Sequence, residues 1–387
     1  MTRTYLDHNA TSPLRPEVRE LWLRELDALG GNPSAVHASG RRARAVIDEA
    51  RERVAAVLEV AEEEVVFTSG GTESNNLAIV GTLAQHAPPA GMLTTPIEHP
   101  SVIETARSME ESGYRLVLAP VDAAGRIDAR ATAELALRER VALVSVMAAN
   151  NEIGVVTPLA ELGEALDRGG DKRPCLHVDA VQLLGRLPFT PGEWGADLVS
   201  LSAHKLGGPL GVGLLLVRGH TPLVPILCGG GHEGGLRSGT ENAPAIAAAA
   251  LAIELAVCER TSYQEAVGQL TRKLWDELRA HCPAARLLGP PIDAADRLPN
   301  TLNVLFPATD GRSLVARLDI AGLEASAGSA CASGSLEASH VLLALGHDEE
   351  RARAGLRLSL GRTTCLQDVH NAVDILRKNI PSQPANS

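Results

Sequence analysis

Lys205 stands where a short apolar run, Leu198 to Leu201, gives way to Ser202-Ala203-His204-Lys205 and then to Gly207, Gly208, Pro209, Gly211 and Gly213. The apolar run reads as a buried strand. The glycines break regular structure and let other groups come close. An amine at the end of a buried strand is desolvated, gives up its proton more readily and becomes a nucleophile. Schiff-base chemistry with an aldehyde needs such an amine. Read singly, a lysine in a Gly-rich loop is more often a surface lysine, so its partners elsewhere in the chain carry the argument.

Four other stretches have the same placement after a strand. Thr68-Ser69-Gly70-Gly71-Thr72-Glu73-Ser74 joins a strand to a helix. Converging backbone N–H groups, hydroxyls and a helix N-terminus make a phosphate cradle of such a turn. It matches neither the dinucleotide pattern nor the nucleotide-binding pattern ending in GK[ST]. Asp179, in His177-Val178-Asp179-Ala180-Val181-Gln182, puts a carboxylate where α/β sheets bind ligands. There it can keep a pyridine nitrogen protonated and turn the ring into an electron sink; its plainer reading is a helix cap. His99, in Glu98-His99-Pro100, could stack on a ring and shuttle protons, or simply start a helix. Asn150-Asn151-Glu152 brings amides to the same sheet edge. The convergence of these loops with Lys205 is the signal.

Two further residues suit sulfur and carboxylate chemistry. Cys331 lies in Gly328-Ser329-Ala330-Cys331-Ala332-Ser333-Gly334, where small neighbours expose a thiol and leave it free to react. Arg357 alternates with apolar residues in Leu356-Arg357-Leu358-Ser359, and its fork could clamp a substrate carboxylate or form a structural ion pair.

The elements that must hold these residues alternate. After an extended leader over residues 1–15, helices are predicted at 16–29 and 41–59 and a strand at 64–68, with the next helix starting at Leu77. Strands follow at 91–95, 115–119, 142–147, 175–178, 198–201 and 212–217, with helices at 100–112, 131–138 and 159–168 between them. This alternation predicts an α/β fold, a mostly parallel sheet flanked by helices. An Ala-rich helix at 243–260 bridges to a smaller α+β unit: a helix at 263–281, strands at 300–306 and 356–359, a helix at 313–321 and the cysteine loop at about 325–335. The expected division is a large domain over 16–259 and a small one built from 1–15 and 260–387. The Pro- and Ser-containing tail is expected to be disordered.

Composition narrows the function classes. The chain has 387 residues, 45% of them hydrophobic, enough for a large core. Its formal net charge of -11 argues against direct nucleic acid binding. No apolar signal region or membrane-spanning stretch is visible, which points to the cytoplasm. The six cysteines form no C-x-x-C pair and the twelve histidines no H-E-x-x-H, so neither a disulfide framework nor a metal site is expected.

In order along the chain, YLDHNATSPL, TSGGTESNNLAI, IEHPSV, NNEIGVV, HVDAVQ, SAHKLGGPLGVG, GGGHEGGLRSGT, ASAGSACASGSLEASHVLLALG and RLSLGRTT resemble the cysteine desulfurases of the NifS/IscS type, in the class V aminotransferase group of pyridoxal-phosphate (PLP) enzymes. The resemblance runs over nearly the whole chain. It implies PLP-dependent transferase fold type I and removal of sulfur from L-cysteine, giving L-alanine and a persulfide on Cys331. It implies that Lys205 carries the cofactor as a Schiff base and removes the substrate α-proton. Asp179 would pair with the pyridinium nitrogen, Gln182 would reach the phenolic oxygen, and His99 would stack on the ring. Gly71, Thr72, Ser202 and His204 would bind the phosphate, with Thr240 reaching it from the other subunit of a homodimer. Asn151, Arg357 and Asn32 would hold the substrate.

A sulfur-acceptor or scaffold protein is implied as partner. The helix after Ser-Leu-Glu has Ala338-Ser339 where the family pattern expects a proline, and the chain ends soon after the Asp368 helix, where members that dock a scaffold carry more. An aminotransferase would not need Cys331. A selenocysteine lyase would share Lys205. A non-catalytic relative would have lost one or both.

Overall fold

The computed structural model describes residues 3–306, 309–327 and 338–380. The strands are β1 (Thr4–Tyr5), β2 (Val65–Thr68), β3 (Gly91–Thr94), β4 (Arg115–Leu118), β5 (Leu143–Met147), β6 (Cys175–Asp179), β7 (Leu198–Ser202), β8 (Gly213–Val217), β9 (Arg286–Leu287), β10 (Thr301–Leu305), β11 (Leu323–Glu324), β12 (Ser326–Ala327) and β13 (Gly355–Ser359). The helices are α1 (Pro16–Ala28), α2 (Ala38–Leu58), α3 (Gly71–Leu83), α4 (Pro100–Glu111), α5 (Ala129–Glu139), α6 (Leu159–Asp167), α7 (Ala243–Cys258), α8 (Arg260–His281), α9 (Gly311–Ile320), α10 (His340–Ala344), α11 (Glu349–Ala354) and α12 (Leu366–Asn379).

Seven strands form the main sheet in the order β2-β8-β7-β6-β5-β3-β4. Only β8 runs against its neighbours, β2 and β7; the remaining pairs are parallel. Strands β5, β7 and β8 are buried at every position. That is why they read as continuous apolar runs and why helices must cover both faces. The principal core spans residues of β5 to β8, α2, α5, α6 and α7. Alanines make α7 narrow enough to lie buried beside α2 and α1.

A four-stranded sheet, β12-β13-β10-β9, forms with α8, α9 and α12 a second core around Leu302, Val304, Leu314, Leu356, Leu358 and Leu376. Leu6 from the leader is part of that core. The leader is held by parallel pairing of β1 with β11 and by a bridge from Asp7 to Ser359.

Several boundaries differ from expectation. Helix α3 starts at Gly71, not Leu77, because the Gly-rich turn itself forms the first helical turn, with Gly70 at the N-cap at φ 156°. A side chain on Gly213 would strike the backbone of Gly70 at 2.5 Å, so the turn requires a glycine opposite as well. Helix α2 begins at Ala38, three residues early, where the His37 side chain caps the N–H of Gly40. The Ala-rich helix ends at Cys258, and a second helix starts at Arg260. Among the described residues no helix is long and apolar enough to cross a membrane. Cys331 and most of its loop, and the C-terminal tail, lie outside the described residues.

Candidate active site

The carboxyl ends of β5, β6 and β7, the first turn of α3 and the start of α4 enclose a cavity of about 260 Å³. Small-molecule sites run from roughly 300 Å³ upward, so this one takes a ligand of modest size. Among its lining residues are Gly71, Thr72, His99, Asn151, Asp179, Gln182, Ser202, His204 and Lys205. Asn32 and Thr240 are exposed and do not line it.

Lys205 sits on a short 3₁₀ turn, Ala203–Leu206, that β7 runs into. Its Nζ donates to the carbonyls of Asn9 and Ala10, each at 2.7 Å. The leader thus forms one wall of the cavity. The carbonyl of Asn9 also accepts from Gln182 Nε2 at 3.0 Å, and the Gln182 side-chain oxygen accepts from buried Arg186. Asn9 Nδ2 donates to the carbonyl of Asn151 at 3.1 Å.

Asp179 ends β6. Its Oδ1 accepts from the N–H of Val181 at 3.1 Å and its Oδ2 from Asn75 Nδ2 at 2.7 Å. The carboxylate is therefore oriented and retains lone pairs for a further donor. His99 caps α4, as its plainer reading had it, and also lines the cavity. Burial pulls its pKa below the usual histidine value; Lys205 and His340 push it the same way and Asp179 opposes them. Burial, helped by Lys205, takes His204 down to about 4. Both imidazoles are neutral at neutral pH.

Beneath the cavity floor, His177 is fully buried between Ser145 (2.8 Å) and Ser200 (2.9 Å), and burial lowers its pKa to about 3. Glu98 is also fully buried. Burial raises it to about 8 despite bonds from Thr95 and the N–H of Met147.

Arg357 lies just behind the cavity, 1% exposed. Its Nη1 donates to the carbonyl of Asn151 at 3.2 Å and its Nη2 to Asp7 at 2.7 Å, while its Nε has no partner among the described residues. The structural ion pair is present, and Nε is left with a donor unused. Among the described residues no three His, Cys, Asp or Glu side chains come together to hold a metal ion. Cys175 is half-buried, and desolvation pushes its thiol up to about 12, which disfavours the reactive thiolate.

Sequence reasoning missed Asn9, Asn75 and Ser101. Asn75 had no signal beyond its place after the Gly-rich turn, just before the expected helix start. Ser101 stands two residues after His99 and directly after Pro100 at a helix start, a capping arrangement visible in the sequence.

The class-V aminotransferase family model matches residues 4–372. The chain belongs to that family. It is 40% identical over 377 residues to the cysteine desulfurase IscS of Dictyoglomus turgidum, covering 97% of this chain and 94% of that protein. A solved NifS-like protein superposes with a TM-score of 0.90 at 34% identity, covering 97% of this chain and 99% of the other. The structure of SspA in complex with cysteine matches with a TM-score of 0.77 at 31% identity, covering 94% and 100%. Within the class-V family the chain falls with the cysteine desulfurases of the NifS/IscS type.

The cofactor of this family is PLP, and the cavity fits it on the structure's own terms. Ser202 Oγ is buried with no hydrogen-bond partner among the described residues, beside the N-terminus of α3. A Cβ at Gly71 would come within 2.9 Å of Val181 and fill the cradle. An unsatisfied hydroxyl and a helix N-terminus suit a phosphate. A primary amine and a fixed carboxylate suit an aldehyde and a pyridine nitrogen.

Proposed function

We propose that the chain is a PLP-dependent cysteine desulfurase that removes sulfur from L-cysteine, releases L-alanine and leaves a persulfide on Cys331. The observation that supports this reading most strongly is the single cavity lined by Lys205, Asp179, His99, Gln182, Ser202 and the first turn of α3, in a chain that also carries Cys331.

When bound, PLP supplies an electron sink for the charge that develops at the substrate α-carbon. Lys205 would anchor the cofactor through Nζ and would take the substrate α-proton at that atom. Asp179 would hold the proton on the pyridine nitrogen, and Gln182 would donate to the phenolic oxygen. His99, which lines the cavity, would stack on the ring and assist proton transfer. Gly71, Thr72, Ser202 and His204 would bind the phosphate, and Thr240 would complete that site from the partner subunit of a homodimer. Asn151 and Arg357 hold the substrate, Arg357 through its carboxylate, with Asn32 assisting. The Cys331 thiolate attacks the substrate sulfur. The C–S bond breaks, the S–S bond forms, and the electron pair stays with the carbon fragment, which gains protons to become alanine. Cysteine and a thiol give alanine and a persulfide, with no external oxidant.

The two cores support a large domain over residues 16–259 and a small one from 1–15 and 260–387. A sulfur-acceptor or scaffold protein in the cytoplasm would receive the persulfide sulfur, for iron–sulfur cluster or thio-cofactor assembly. The test is to incubate purified protein with L-cysteine, measuring sulfide with a reductant present and alanine by chromatography, beside Cys331→Ala. Stoichiometric sulfide and alanine that vanish in the variant are expected, with the visible absorption band unchanged. Alanine formed equally well without Cys331 would sink the persulfide step.

A further inference from the structure

His99 and Asp179 are joined by two residues that the catalytic roles above do not use. Nδ1 of His99 accepts from the backbone N–H of Ser101 at 3.1 Å, and the Ser101 hydroxyl lies 2.8 Å from the same nitrogen. Ser101 Oγ is 2.8 Å from Asn75 Nδ2, and that Nδ2 is 2.7 Å from Asp179 Oδ2. Asn75 is 1% exposed and Ser101 8%.

The direction of each bond follows from what each group can do. A backbone amide only donates, so Nδ1 is an acceptor and carries no proton. A carboxylate oxygen accepts, so Asn75 must present its NH₂ to Asp179. The second hydrogen of that NH₂ goes to Ser101 Oγ, and the hydroxyl hydrogen is left to point at Nδ1. Two donors therefore converge on one imidazole nitrogen, and the proton of the neutral ring resides on Nε2.

We propose that Asn75 and Ser101 are positioning residues that lock His99 in its Nε2–H tautomer and tie that tautomer to the carboxylate of Asp179. The proposal rests on reading this cavity as the cofactor site. His99 then serves the reaction as a hydrogen-bond donor through Nε2. It does not pass protons from one ring nitrogen to the other, because Nδ1 is occupied by two donors. Any shift of the Asp179 carboxylate is transmitted to the histidine through one amide and one hydroxyl.

The test is nitrogen NMR of the full-length holoprotein labelled with ¹⁵N-histidine, with His99→Gln identifying the His99 signals among the twelve histidines. The expected result at pH 7 is an unprotonated Nδ1 and a protonated Nε2, unchanged when the cofactor is stripped. A protonated Nδ1 or a mixture of tautomers would overturn the proposal. Ser101→Ala should raise the His99 titration midpoint by about one pH unit, the size of one hydrogen bond to the neutral form, and Ser101→Thr should restore it. Asn75→Ala should shift it the same way by less. Asp179 on β6, Lys205 beyond β7, His340 on α10 and Glu98 before α4 also face this region and are the same in every variant. Midpoints unchanged in both variants would overturn the chain of bonds. Where Ser101→Ala does not fold, the wild-type tautomer and Asn75→Ala decide. The tautomer is read without turnover, so a protein that kept Nε2–H yet made no alanine would sink the desulfurase reading alone.

Discussion

Arg357 and Asp7, 350 residues apart in sequence, meet in an ion pair of 2.7 Å with the guanidinium 1% exposed. The carboxylate neutralises and aims an arginine whose Nε has no partner among the described residues. Asp7→Asn keeps an acceptor and removes the charge. It is expected to lower the unfolding free energy by about 2 kcal/mol, read from urea midpoints. Arg357→Lys, which loses the fork, is expected to raise KM for L-cysteine by about tenfold or more with a smaller change in kcat.

Lys205 is the primary amine that lines the cavity. Borohydride treatment of the holoprotein should fix the cofactor covalently, and peptide mapping should find it on Lys205. Lys205→Ala should bind PLP without the visible band of the wild type and release no alanine. A band that survives the substitution would move the anchor elsewhere.

Asp179 is held by Asn75 and the N–H of Val181. Asp179→Asn preserves that geometry and removes the charge that keeps the ring nitrogen protonated. The expected loss is about 10²–10³-fold in kcat, the scale found when one preorganised electrostatic contact is removed. Circular dichroism should show the fold unchanged.

Burial raises the folded pKa of Glu98 from the ordinary carboxylate value of 4.5 to about 8. Between those two values the folded state binds a proton that the unfolded chain releases, so stability falls as pH rises from about 4.5 to 8 and levels off above that. Glu98→Gln keeps the bonds to Thr95 and Met147 and cannot ionise. Compared by urea unfolding at pH 5, 7 and 9, wild type and variant should match most closely at pH 5, with the variant's advantage growing to pH 9. Parallel curves would mean that Glu98 is not the titrating group.

Much of the cavity was legible because strand ends announce themselves. Lys205, Asp179 and Gly71 each follow an apolar run that breaks into small or polar residues, and in a parallel sheet such breaks fall on one edge. The start of α3 was misplaced because glycine weighs against helix, yet here the glycines form its N-terminus. Pairings remote in sequence left no trace. Nothing near Asp7 signals Arg357, and nothing near Asn9 signals Lys205, because such contacts depend on packing of two cores that no local pattern encodes. Asn75 and Ser101 escaped for a different reason: their chemistry lies in orienting neighbours that already looked sufficient.

Residues 4 to 12 pair with β11 and β13 and wall the cavity through Asn9 and Ala10. On the ribosome this segment emerges ahead of the strands it pairs with, and its seat is not made until residue 359 has been added. It must wait unpaired while the main sheet assembles, and contacts of such separation form slowly. The segment is made before its pairing strands and docks after them, so the amine of Lys205 acquires its carbonyl partners only once residue 359 has been added. Cofactor capture in its final geometry is therefore a late, post-translational event, and a bulky fusion placed directly before Thr4 would burden that step more than any other.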